Sequence, residues 1–151
     1  MSANAELLNF IHKNAEMGRD SVDHILELCK EPAFCGVLRE MREGYNRVCI
    51  SSEALLTAGG KSPDGVSAIA RTMSSMMLDF STIGDRTSEK FASMLLEGVD
   101  MGISELEEKM RIYPSAKDEY MNLAHAFRDI LFHHRSLLRN YRYGRSEGRH
   151  Q

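Results

Sequence analysis

YMNLAHAFRDILFHHRSLLRNY, residues 120–141, is the stretch that decides the fold. Its apolar residues recur at alternating steps of three and four, which is the spacing of one face of an α-helix. The stripe consists of Tyr120, Leu123, Phe127, Ile130, His134 and Leu137. This pattern predicts a long amphipathic helix, over about residues 116–143, that buries its stripe against partner helices.

Three further stretches carry the same spacing and predict helices over about residues 3–29, 32–57 and 88–111. Each is bounded by residues that interrupt or start a helix. Pro32 disfavours helix in the residue before it, and Gly59-Gly60 tolerates the left-handed conformation that closes a helix. Thr87 is the predicted N-cap of the third long helix. The chain is therefore expected to be all-α.

The connection between the second and third long helices is much longer than the other two. Its residues 66–80 predict a short helix of about four turns, which would carry the chain back along the bundle. One long link between two short ones is the ferritin-like plan of an up-down four-helix bundle, with the second and third helices parallel. We expect a single domain over residues 1–143, followed by a polar tail at 144–151.

The apolar stripe of the third long helix contains Gly98 and Gly102. Glycine lowers helix propensity, by about 1 kcal/mol relative to alanine. We therefore expect these glycines to have a role in packing. Either a neighbouring backbone approaches closely, or a large side chain of a partner helix needs the room.

Composition and charge exclude several classes of protein. Hydrophobic residues make up 42% and charged residues 27% of the 151, and the net charge is −3, so neither disorder nor a nucleic-acid partner is expected. No apolar stretch approaches the roughly 20 residues that span a membrane, and residues 1–10 lack the pattern of a signal peptide. Cys29, Cys35 and Cys49 are interpreted as reduced thiols of a cytoplasmic protein.

Four local motifs, in this order and spacing, resemble an uncharacterised bacterial family of ferritin-like domains of unknown function. They are Glu16-Met17-Gly18, Gly59-Gly60-Lys61-Ser62-Pro63, Glu97-Gly98-Val99-Asp100 and His134-Arg135-Ser136-Leu137-Leu138-Arg139. The resemblance covers about residues 6–141. It implies a ferritin-like fold in a bacterial protein and no established activity.

Ferritin-like di-iron proteins carry Glu-x-x-His on two helices, and this chain departs from that pattern. The one pair with this spacing is reversed, His24 before Glu27. A degenerate site for iron, manganese or zinc remains as a hypothesis, with the ligands Glu16, Glu97, Asp100 and His134. The alternative is that the acids flank the seam at the surface and that His134 is a core histidine satisfied by a hydrogen bond.

The preferred functional interpretation is a non-catalytic interaction protein that assembles as a homo-oligomer and needs no cofactor. A metal or redox protein is the alternative. A third hypothesis is a ligand pocket lined by methionines, around Met73, Met76, Met77, Met94 and Met101. Arginines near the end (Arg135, Arg139, Arg142, Arg145 and Arg149) suggest either an anionic partner or simple complementation of the helix dipole, and we favour the latter.

Overall fold

Four long helices form the computed structural model, which describes residues 3–60 and 87–149. They are α1 (Ala3–Leu28), α2 (Pro32–Ala58), α3 (Ser88–Ile112) and α4 (Asp118–Arg149). The described residues contain no strand, so the all-α prediction is confirmed for them. The helix predicted over residues 66–80 lies outside the described residues.

Local sequence signals set the helix ends. The Thr87 side chain accepts a hydrogen bond from the Lys90 backbone N–H at 3.2 Å, which confirms the predicted N-cap. Gly60, with φ of 75°, adopts the left-handed conformation after α2. The predicted end at residue 143 is wrong, because α4 continues to Arg149. Glycine at 144 lowers propensity but does not remove a hydrogen bond as proline would, so the helix tolerates it.

Contacts near the helix ends establish the directions of the chain. The Lys117 backbone N–H donates to Asn4 Oδ1 at 2.6 Å, so α1 and α4 begin at the same end of the bundle. The Tyr141 hydroxyl donates to the Glu31 carboxylate at 2.8 Å, at the opposite end. The start of α2 therefore lies beside the last turns of α4, and α2 runs antiparallel to both α1 and α4.

α3 also runs antiparallel to α1. Phe91, in the first turn of α3, lies beside Leu28 at the end of α1. The Lys109 ammonium, near the end of α3, lies 5.7 Å from the centre of the Phe10 ring at the start of α1. α2 and α3 consequently run parallel in the described residues, so the end of α2 and the start of α3 lie at opposite ends of the bundle.

The core is one continuous cluster between the four helices. Phe34, Phe91 and Phe127 are each 1% exposed or less, and burial of such a side chain contributes about 1.5–3 kcal/mol. Packing is uneven: α1 packs extensively on α2 and α3 on α4, whereas α1 and α3 touch sparsely. This sparse seam positions the candidate site.

The link between α1 and α2 corrects one sequence interpretation. Cys29 and Cys35 form a disulfide, with their Cα atoms 6.0 Å apart, so the interpretation of these two as reduced thiols is wrong. The short turn before Pro32 brings the first turn of α2 back over the end of α1, within reach of a disulfide. Cys49 is the one free cysteine among the described residues, and burial raises its pKa to about 11.

Candidate functional site

A cavity of about 150 Å³ lies between α1 and α3, with α2 and α4 at its back. Its described lining is mainly apolar, and none of those residues carries a charge. Met94, Leu95 and Gly98 are half-buried, so the cavity lies close to the surface. The lining consists of Asn14, Met17, Gly18, Ser21, Ile25, Tyr45, Met94, Leu95, Gly98, Val99, Gly102, Phe127 and Leu131.

The two glycines of α3 create this space. Among the described residues, a Cβ placed on Gly98 would meet no atom within 4 Å, and one on Gly102 would meet only Leu131 Cδ1, at 3.7 Å. The expected close approach at Gly98 is therefore wrong. Gly98, despite its low helix propensity, leaves open volume between α1 and α3.

The glycine of α1 has the opposite role. A Cβ on Gly18 would overlap the ring of Tyr45, so only glycine allows this ring to lie so close to α1. Tyr45 is 6% exposed, and its ring also meets Phe127 edge-on with centroids 6.4 Å apart. Gly18 thus fixes Tyr45 in the wall of the cavity.

Behind Tyr45 lies the buried imidazole of His134. The two rings meet edge-on with centroids 4.7 Å apart, and the imidazole lies against Gly44, where a Cβ would come within 2.5 Å of Nε2. Burial, with smaller contributions from His133 and Arg47, lowers the pKa of His134 to about 3. Its Nδ1 is buried and has no hydrogen-bond partner among the described residues, so the expected hydrogen bond of a core histidine is not found there.

A second buried histidine has the partner that His134 lacks. His12 Nδ1 lies 2.7 Å from Ser52 Oγ, and the Ser52 hydroxyl donates to the Cys49 carbonyl at 3.1 Å. His12 Nε2 lies 3.4 Å from a Glu16 carboxylate oxygen.

This serine, histidine and glutamate resemble a nucleophilic triad in composition, but Ser52 is 0% exposed. No substrate reaches a hydroxyl that is enclosed in this way, so the set holds α1 against α2. The sequence signal for this set is weak, because His12, Glu16 and Ser52 form no recognisable motif.

The four residues predicted to bind metal have different neighbours. Glu16 lies beside His12, and Asp100 lies beside Arg135, whose Nη1 is 3.6 Å away. Glu97 is exposed, and His134 is enclosed by Tyr45 and Gly44. Over residues 3–60 and 87–144, no three His, Cys, Asp or Glu side chains converge closely enough to hold a metal ion. The metal site stays a prediction.

Of the five methionines predicted to line a pocket, Met94 lies in the cavity wall and Met101 is 62% exposed. Met73, Met76 and Met77 lie outside the described residues. Met17 lines the cavity without having been predicted. Gly18, its neighbour in the chain, gave no signal of this space, because the Tyr45 ring fills the volume beside it.

Comparisons of the chain with protein-family models, with curated proteins and with solved structures find no match. Among the described residues, none of the four helices has both the length and the apolar character of a membrane span. The site is therefore interpreted from its own geometry.

Proposed function

We propose that this chain is a ferritin-like bundle that works by binding rather than by catalysis, and that its site is the cavity between α1 and α3. The occupant is a small organic molecule. The parallel course of α2 and α3, which a ferritin-like crossover requires, supports the proposed fold.

One observation carries this proposal: Gly98 lies on the inward stripe of α3 and lines the cavity, and a Cβ on it would meet no atom of the described residues within 4 Å. A glycine inside a helix is unfavourable by about 1 kcal/mol relative to alanine. At Gly98 this glycine leaves open a space that a larger side chain would fill. An enclosed apolar cavity of about 150 Å³ accepts a molecule the size of benzene, and the cavity beside Gly98, which lies near the surface, has a similar volume.

Binding of two single-ring probes tests the proposal. Toluene and p-cresol are titrated separately into protein with ¹³C-labelled methionine methyl groups, and the signals of Met17 and Met94 are followed by NMR. These methionines line the cavity, so we expect saturable shifts at both. Met101, at 62% exposure, is an internal control whose signal should stay unchanged.

A matched pair of variants locates the binding. Gly98→Leu places a side chain in the cavity, and we expect it to weaken binding by at least about tenfold. Gly36→Leu makes the same change at an exposed position of α2, where a Cβ also meets no atom within 4 Å. It should leave binding unchanged. The proposal is wrong if neither probe gives saturable shifts, or if Gly98→Leu binds both probes as the unaltered protein does.

A further inference from the structure

Two hydroxyl groups in the cavity wall have no hydrogen-bond partner among the described residues. Tyr45 and Ser21 are 6% and 4% exposed, and both line the cavity. The third polar residue of the lining, Asn14, uses its amide N–H to donate to the Phe10 carbonyl at 2.9 Å and keeps its carbonyl oxygen.

The two hydroxyl-bearing residues are close enough to serve one ligand. The Tyr45 ring lies against Gly18, and Ser21 follows Gly18 by three residues on α1. A step of three residues is nearly one helical turn, so Ser21 lies on the same face, roughly 5 Å along the helix. The wall therefore combines apolar side chains with two neighbouring polar groups.

The enclosed polar atoms without a partner in the described residues are His12 Nε2, Arg128 Nε and His134 Nδ1, so the Tyr45 and Ser21 oxygens are not sealed off and open onto the cavity. A molecule that enters the cavity takes water away from these two hydroxyls, and it binds well only if it replaces the hydrogen bonds that water makes there. The absence of charged residues from the described lining selects against an ionic partner, since a buried charge requires a counter-charge.

We propose that the cavity binds an uncharged, single-ring molecule with one hydroxyl or carbonyl group, which Tyr45 and Ser21 hydrogen-bond. This inference rests on the proposed function and adds the chemical class of the ligand. Burial raises the pKa of Tyr45, so its hydroxyl stays protonated and can both donate and accept at neutral pH.

The comparison of toluene with p-cresol tests this class, because the two differ by a single hydroxyl group. A neutral hydrogen bond increases affinity by about threefold to tenfold, so p-cresol should bind tighter than toluene by that factor. A wall that offered no partner would reverse the order, since p-cresol would bury an unpaired hydroxyl.

The double variant Tyr45→Phe with Ser21→Ala assigns the preference to these residues. It removes both hydroxyl groups and keeps the shape of the wall, so we expect toluene to bind as before and p-cresol to lose at least about tenfold in affinity. Thermal unfolding provides a second readout. Because neither hydroxyl has a partner in the described residues, the midpoint should not fall; a clear decrease would show that they have a structural role and would overturn the inference.

Failure of this inference is distinguishable from failure of the proposed function. Equal binding of the two probes, or a preference for p-cresol that survives in the double variant, rejects the ligand class and leaves the cavity as a binding site. No saturable binding of either probe rejects both.

Discussion

At the scale of single residues, two buried imidazoles differ in their hydrogen bonding. His12 is 2% exposed and shares a hydrogen bond with Ser52, whereas His134 is 1% exposed, lies against the Tyr45 ring and Gly44, and has no hydrogen-bond partner for its Nδ1 among the described residues. Water is excluded from both. Protonation of His134 places a charge where no described group stabilises it, and its pKa of about 3 reflects this.

The low pKa of His134 predicts a loss of stability in mild acid. The unfolded chain binds a proton at the ordinary histidine pKa of about 6.5, and the folded chain does so only near 3. The free energy of unfolding is therefore unaffected by His134 above pH 6.5, falls as pH decreases from there, and levels off below about 3. At pH 5 the loss is about 2 kcal/mol.

Urea unfolding at pH 7 and pH 5 measures this loss in the unaltered protein and in His134→Leu. The variant cannot titrate at this position, so the decrease should be about 2 kcal/mol smaller. His125→Gln, at an exposed histidine, is the control and should keep the full decrease. Equal decreases in His134→Leu and in the unaltered protein would contradict the assigned burial of His134.

The sequence predicted which residues face inward but not how well they fill the interior. The spacing of Gly98 and His134 correctly placed both on inward stripes. It could not show that Gly18 is filled by a tyrosine ring while Gly98 is left open, because periodicity gives the direction of a side chain and not the distance to the opposite helix. The cavity depends on that distance.

At the scale of elements, the helix bounds were predictable where a local signal exists. The residues at these helix ends act through the backbone of their own turn, as Thr87, Pro32 and Gly60 do. Their effect can therefore be predicted from the sequence. The disulfide was not predicted, because it depends on how two helices fold back across the link between them. An odd number of cysteines also argued against it.

The disulfide between Cys29 and Cys35 predicts that reduction destabilises the bundle. Its closed loop is short, with a sequence separation of 6, so the lost constraint on the unfolded chain is worth about 2 kcal/mol. Addition of a phosphine reductant should lower the thermal midpoint by about 4–8 °C. Counting reactive thiols under denaturing conditions by alkylation and mass spectrometry confirms the state of the bond.

The variant Cys29→Ser with Cys35→Ser provides the control for this experiment. It should unfold at the midpoint of the reduced protein and should not respond to the reductant, since the buried Cys49 remains its one thiol. Two results together would show that this bond does not form. They are a thermal midpoint of the unaltered protein that does not change on reduction, and a count of all three thiols before the reductant is added.

At the scale of the whole molecule, the seam between α1 and α3 is sparse for a topological reason. α1 pairs with α2, and α3 with α4, across short links that hold each pair together. No short link joins α1 to α3, so their approach is set only by the side chains between them. Small residues at Gly98 and Gly102 leave that boundary open, and the candidate site follows from the connectivity of the bundle.

The parallel course of α2 and α3 predicts a long distance between their joined ends. α2 contains 27 residues, which span about 40 Å at 1.5 Å per residue. Spin labels at Thr57 and Lys90, both exposed, should therefore lie about 40 Å apart in a pulsed electron resonance measurement. The native cysteines are replaced by serine or alanine in this background.

A second pair of spin labels distinguishes the parallel arrangement of α2 and α3 from an antiparallel one. Glu27 is exposed near the end of α1, at the same end of the bundle as Lys90, so this pair should lie within about 20 Å because packed helix axes are only 8–10 Å apart. A simple up-down meander, in which α3 runs antiparallel to α2, reverses the two results: the pair at Thr57 and Lys90 becomes short and the pair at Glu27 and Lys90 becomes long. That reversal would refute the parallel arrangement and, with it, the ferritin-like connectivity.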